Sequence, residues 1–190
     1  MHDLGLLVAM IAVALVGAGC EQEPAVQPPL PPPSVVIAGY GFDAPSDWTS
    51  ETPDDSERLV QIRIAQAVAD QPQDAVLAAY AAPSDARETE AQVNRWVYEF
   101  APAGSSAAER IAEQVVAAGP LSVRVIEVSG RMESNSVPGV AAVTLDDWAM
   151  LLAIVPTSPA PTFVRLVGPK ATIDARREEI LRALASFRKA

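Results

Sequence analysis

The chain has 190 residues, 49% of them hydrophobic and 20% charged, which suits one globular domain behind a leader and excludes wholesale disorder, a collagen-like repeat and a multi-span membrane protein. Nine of the 24 acids precede the first base, Arg58, leaving 15 acids against 14 bases, so the net charge of −10 belongs to the N-terminal third. No basic footprint for phosphate exists, and nucleic acid is excluded as a partner.

Leu4 to Gly19 is a run of sixteen uncharged, mostly apolar residues. As a helix it would span about 24 Å, short of a hydrocarbon core of about 30 Å and suited to a signal peptide. Cys20, the only cysteine, follows at once. The stretch Val16-Gly17-Ala18-Gly19-Cys20 resembles a bacterial lipobox, in which small residues fit the signal peptidase and the cysteine thiol receives diacylglycerol. The resemblance implies a signal peptide over 1–19 and lipidation at Cys20, with acyl chains such as palmitate holding the protein to a membrane. The competing reading is a plain signal peptide or short anchor with an incidental cysteine. Residues 21–34, EQEPAVQPPLPPPS, carry six prolines; they lack backbone donors and hold an extended conformation, so 20–34 reads as acylated cysteine plus tether, reaching roughly 40 Å. A single domain then occupies 35–190.

Within that domain, 35–42 (VVIAGYGF) predicts one strand and 43–57 an acidic loop. Val60, Ile62 and Ile64 alternate with polar neighbours over 58–67, the period of a half-buried strand, and Ala75 to Ala82 pairs with it after a turn at 71–73. Asp85 with Glu88 has capping-box spacing, and Val93, Trp96, Val97 and Phe100 recur at helical spacing. Ser106 with Glu109 repeats the cap, and Ile111, Val115 and Ala118 predict a second helix stopped by Gly119-Pro120. Strands follow over 121–132, 141–145, 148–155 and 163–167, with Asp146-Asp147 as a hairpin turn. The last helix, 172–187, is capped by Thr172 after a turn at Gly168, with Asp174 in its first turn and Ile173, Ile180, Leu181, Leu184 and Phe187 on one face. Strands and helices do not alternate strictly, so the expected class is α+β: an antiparallel sheet of about six to seven strands flanked by helices.

Three stretches, Phe42 to Trp48 (FDAPSDW), Val93 to Phe100 (VNRWVYEF) and Ala149 to Ser186 (with AMLLAIVP, FVRLVGPK and the closing helix), together resemble bacterial lipoproteins of the PsbP-like fold. The resemblance implies that fold over 35–190 and an accessory or binding role. Its motifs are aromatic, Gly and Pro positions, which bear on fold more than on activity.

The chemistry available is narrow. His2 is the only histidine and Cys20 the only cysteine, so a Ser-His-Asp triad, a Cys-His pair, a Cys/His zinc site and haem or iron–sulfur ligation are all ruled out in the mature domain. The acids of 43–57 lack calcium-loop spacing and read as solvated surface. Asp146-Asp147, adjacent on a strand, would point to opposite faces and not converge on a glycosidic bond. Gly168-Pro169-Lys170 before a helix offers an anion seat only without the phosphate-loop pattern. Trp96 and Phe100 read as core, whereas Trp48, in a loop among acids, either tucks under the first strand, the favoured reading, or is the candidate contact for a partner. The expectation is therefore no catalytic residue, no metal and no cofactor. The chain reads as a lipid-anchored protein of the bacterial envelope, facing the periplasm or exterior, that engages the membrane through its anchor and an envelope protein or ligand through its domain. The alternative is a carboxylate-dependent hydrolase of envelope glycans.

Overall fold

A computed structural model describes residues 31–53, 55–67, 73–100, 111–133 and 144–190. By contact the chain divides into Met1–Pro31 and Pro32–Ala190. The apolar leader, Cys20 and most of the proline tether lie outside the described residues, as do Ser106 and Glu109. In the second unit the elements are β1 (Val35–Ile37), β2 (Tyr40–Phe42), β3 (Trp48–Glu51), β4 (Arg58–Ile64), β5 (Ala75–Ala81), α1 (Ala86–Tyr98), β6 (Ile111–Ala118), β7 (Leu121–Glu133), β8 (Thr144–Val155), β9 (Thr162–Pro169), α2 (Lys170–Ala185) and β10 (Arg188–Lys189).

The architecture is the expected α+β class. Seven strands form one sheet in the order β3-β4-β5-β9-β8-β7-β6, every neighbouring pair antiparallel. A small second sheet, β1-β2-β10, joins the two ends of the domain. Each face of the large sheet carries its own core. Leu77, Leu151, Val164 and Leu166 on one side pack with Ile173, Ile180, Leu184 and Phe187 of the α2 segment. Met150, Leu152, Phe163 and Val167 on the other pack with Val93, Trp96, Val97 and Phe100 of the α1 segment. Because both faces are covered, all eight residues of β9, the central strand, are buried.

The first and last of the three predicted helices form where their periodicity places them. Asp85 caps α1, its carboxylate accepting from the backbone N–H of Arg87 and Glu88 at 2.8 and 3.1 Å, which satisfies two donors that helix geometry leaves open. The stripe of α2 is buried as expected, with Leu181 half-buried at its margin. Its cap differs. β9 runs directly into α2 with no loop, so the N-cap is Pro169, without a side-chain bond. Thr172 lies a turn inside, fully buried, and its hydroxyl accepts from the Ala67 N–H at 3.4 Å.

Several strands correct the sequence reading. Residues 35–42 are a hairpin, since Ala38 and Gly39 take φ of 50° and 79°, the doubly positive turn that reverses an antiparallel pair tightly. The acidic loop contains β3, which pairs with β4 from Trp48↔Ile64 to Glu51↔Gln61. The predicted second helix is instead β6, paired residue for residue with β7 from Ile111↔Val128 to Ala118↔Leu121. Its burial has period two: Gln114, Val116 and Ala118 turn inward, while Val115, which a helical stripe would bury, is 68% exposed. Gly119-Pro120 is the hairpin turn, with φ of 56° at Gly119, and not a helix stop. Asp146-Asp147 is not a turn either; both acids sit inside β8, where the register slips opposite Gly130 and Met132. Asp147 takes φ of 55° there, a region aspartate tolerates better than most residues, and Arg131 donates to Asp146 at 2.9 Å. Gly168 is strand, not turn: a Cβ there would lie 2.5 Å from the Ala75 Cβ and 2.7 Å from its Cα, so glycine serves close approach between strands.

Candidate functional site

Arg165 is the unusual residue of the sheet. It lies on β9 between Phe163 and Val167, on the α1 face by strand alternation, and its side chain is only 4% exposed. A guanidinium in an apolar layer needs compensation. It donates to Glu99, the residue that ends α1, and its Nε approaches the Met150 sulfur at 3.3 Å. It also lies 5.2 Å from the Trp96 ring centre, within cation–π range. Burial pulls the Arg165 pKa down, and the charge of Glu99 and the Tyr80 hydroxyl oppose that shift. The ring cluster around it is ordered: Trp96 meets Phe163 edge to face at 5.0 Å and Tyr80 at 5.5 Å. From Tyr80 a polar chain runs outward. Arg58 donates to the Tyr80 hydroxyl at 3.1 Å and to Gln61 at 2.8 Å, and Gln61 donates to Glu51 at 3.0 Å.

Above this cluster a cleft of about 770 Å³ opens between α1, the start of β4 and the end of β5. Trp96, Phe163 and Arg165 border it from within; Arg95 stands on the α1 side, and Asp55 and Glu57 on the loop side. Leu59, 46% exposed, borders it too and is one of few large apolar side chains exposed among the described residues. The lining holds hydroxyls at Ser56 and Tyr80 and carboxylates at Asp55 and Glu57 and, among the described residues, no histidine, cysteine or lysine. An apolar floor with charged groups at different points of the rim is the usual form of a small-molecule site.

The residues singled out from sequence lie elsewhere. Trp48 is buried at 8% exposure on β3, and its indole N–H donates to Glu179 of α2 at 2.6 Å; contact with another molecule at this position requires the indole to leave that seat. The acids of 43–57 are dispersed, Asp43 onto Arg188, Asp47 onto Arg176, and Glu51 onto Gln61 and Arg63. These contacts hold the Asp43 carboxyl below its ordinary range through the Arg188 hydrogen bond, and that of Glu51 through Gln61 and then Arg63. No group of three potential metal ligands gathers among the described residues. Lys170 pairs with Asp174 of its own helix. Trp96 is core, as expected, yet its edge reaches the cleft. Arg95 and Arg165 escaped notice in the sequence, and Glu57 counted there only as one of the solvated acids of 43–57. Only Arg165 left a signal there, a lone charge at an inward position of an apolar strand.

No family model and no curated protein matches the chain. Among solved structures it is similar to cyanobacterial PsbP (CyanoP) from Synechocystis sp. PCC 6803, at 12% identity and a TM-score of 0.47, covering 80% of this chain and 87% of that one. It is also similar to a protein of Bacteroides thetaiotaomicron VPI-5482, at 13% identity and a TM-score of 0.44, covering 80% of this chain. The chain spans 45% of that protein's length. Neither likeness speaks to activity or partner.

Proposed function

We propose that the chain is a bacterial envelope lipoprotein, held to its membrane through acylated Cys20, whose domain is a non-enzymatic accessory or binding module with the cleft beside α1 as its contact surface. The observation that carries the reading is the composition of that cleft: aromatic and aliphatic surface next to charged side chains of both signs. Such a surface selects a ligand by complementarity. The anchor rests on the lipobox-like residues 16–20 and the proline tether behind them, which keeps the domain away from the lipid at about 3.1 Å per extended residue.

Fractionation of bacteria producing the full chain tests the anchor. Wild type should sediment with membranes and yield a mature N-terminal cysteine carrying acyl mass, and Cys20→Ser should lose that mass and become soluble. A Cys20→Ser protein that stays membrane-bound refutes the lipid anchor. Incubation with purified envelope glycans tests the rest: no turnover is expected, and turnover abolished by Asp55→Asn or Glu57→Gln would establish the hydrolase instead.

A further inference from the structure

Charge pairing in this domain is thorough. Most described arginines are matched to a carboxylate, Arg63 to Glu51, Arg124 to Glu113, Arg177 to Glu127 and Arg188 to Asp43 among them. Arg95 is not: no hydrogen bond or ion pair of its guanidinium exists among the described residues. The cause is local. Glu99, one helical turn on and the natural i,i+4 partner, is turned inward to the buried Arg165. The Glu57 carboxylate is equally without a partner among the described residues. Unpaired charges on open surface need no explanation, because water serves them. These two border the same cleft, do not pair with each other, and share it with the exposed side chain of Leu59 and the edge of Trp96.

We propose that the cleft binds a zwitterion with an apolar body, an amino acid or short peptide, whose carboxylate meets Arg95 and whose ammonium meets Glu57. The guanidinium fork matches a carboxylate in two hydrogen bonds, the carboxylate of Glu57 accepts from an ammonium, and the ligand's side chain covers Leu59. A volume of about 770 Å³ lies within the range of small-ligand sites and leaves room for more than one residue. The assignment rests on the cleft being the binding surface, as proposed above, and adds the class of ligand.

Calorimetric titration of the full chain in detergent with leucine, Leu-Leu, N-acetyl-Leu-Leu and Leu-Leu-amide tests it. Leucine and Leu-Leu distinguish a free amino acid from a peptide, and saturable binding of either supports the assignment. Blocking either terminus should weaken Leu-Leu binding by about tenfold, the equivalent of one charge-assisted hydrogen bond. Arg95→Gln should weaken Leu-Leu by about tenfold yet leave the amide unaffected, and Glu57→Gln should do the same with the N-acetyl peptide as the indifferent probe. Both positions are exposed, so unchanged thermal midpoints will show that the variants remain folded. Absence of binding by all four probes, or equal binding of blocked and free peptides, overturns the zwitterion. Either result leaves the fractionation of Cys20→Ser unchanged, so the ligand class can fail while the lipoprotein reading stands.

Discussion

Leu184→Ala measures how firmly α2 belongs to the domain. Leu184 is 3% exposed and faces a gap of about 10 Å³ bordered also by Phe42, Trp48, Leu151, Leu166 and Ile180. The substitution removes three buried carbons, worth about 2.4 kcal/mol at roughly 0.8 kcal/mol each. A cavity adds to that wherever the walls cannot close in, and here they are tied. The Trp48 indole donates to Glu179 at 2.6 Å, Arg176 meets Asp47 and Arg177 meets Glu127 at 2.7 Å, and Ser186 accepts from the Asp43 N–H at 2.8 Å. The hole therefore persists, and the total should reach about 3–4 kcal/mol. For a domain of this size that lowers the thermal midpoint by roughly 6–16 °C. Urea denaturation should show a lower midpoint at unchanged slope, and Leu181→Ala, at a half-buried position, should cost clearly less. A loss under about 1 kcal/mol for Leu184→Ala would mean that α2 does not rest on the sheet and would refute the two-sided packing.

Gly168→Ala should destabilise by about 1–3 kcal/mol in the same urea assay through overpacking against the Ala75 backbone, since the new Cβ would lie 2.7 Å from the Ala75 Cα; a neutral result would show that β5 can move aside. Glu99→Gln leaves the buried Arg165 charge without its carboxylate and should cost about 3 kcal/mol, while adding Arg165→Met should recover part of that loss, as apolar replacement of buried ion pairs does. Trp48→Phe, which removes the indole donor to Glu179, should cost about 1 kcal/mol. Stability should also fall in acid. The folded pKa values of Asp43 and Glu51 lie below their ordinary 3.8 and 4.5, so these carboxylates stabilise the fold fully above those ordinary values and lose the contribution as pH falls through the lowered ones. Melting curves should be flat from neutral pH down to about 5 and decline below about 4.5, and Glu51→Gln should shrink that decline.

Local rules sufficed where a segment carries one unambiguous period or a terminus signal. Asp85 caps α1 because its short carboxylate reaches two backbone donors without help from the rest of the fold. The alternation of β4 and the stripe of α2 likewise reflect what one face of each element must bury. The proposed address rests on the chain alone: an apolar run, Cys20 and six prolines, none of which involves a tertiary contact.

The tertiary structure decided wherever two local readings were equally consistent. IAEQVVAA fits a helical stripe and a strand alike, and it became β6 because β7 offers it eight paired positions, a long-range gain that local propensity does not register. Trp48 looked like a loop aromatic because β3 is a strand only by virtue of pairing with β4. The cleft was still less legible. Arg95, Glu57, Leu59 and Trp96 share no sequence pattern, and the first and the last are adjacent in the chain while the others come from a distant strand and its approach loop. Pairing among charges is a property of three-dimensional neighbours: Arg95 has no partner among the described residues, while Glu99, its neighbour one turn on, pairs with Arg165 of β9. Sequence periodicity reports which face of an element is apolar, whereas which charges are left over depends on how the faces meet.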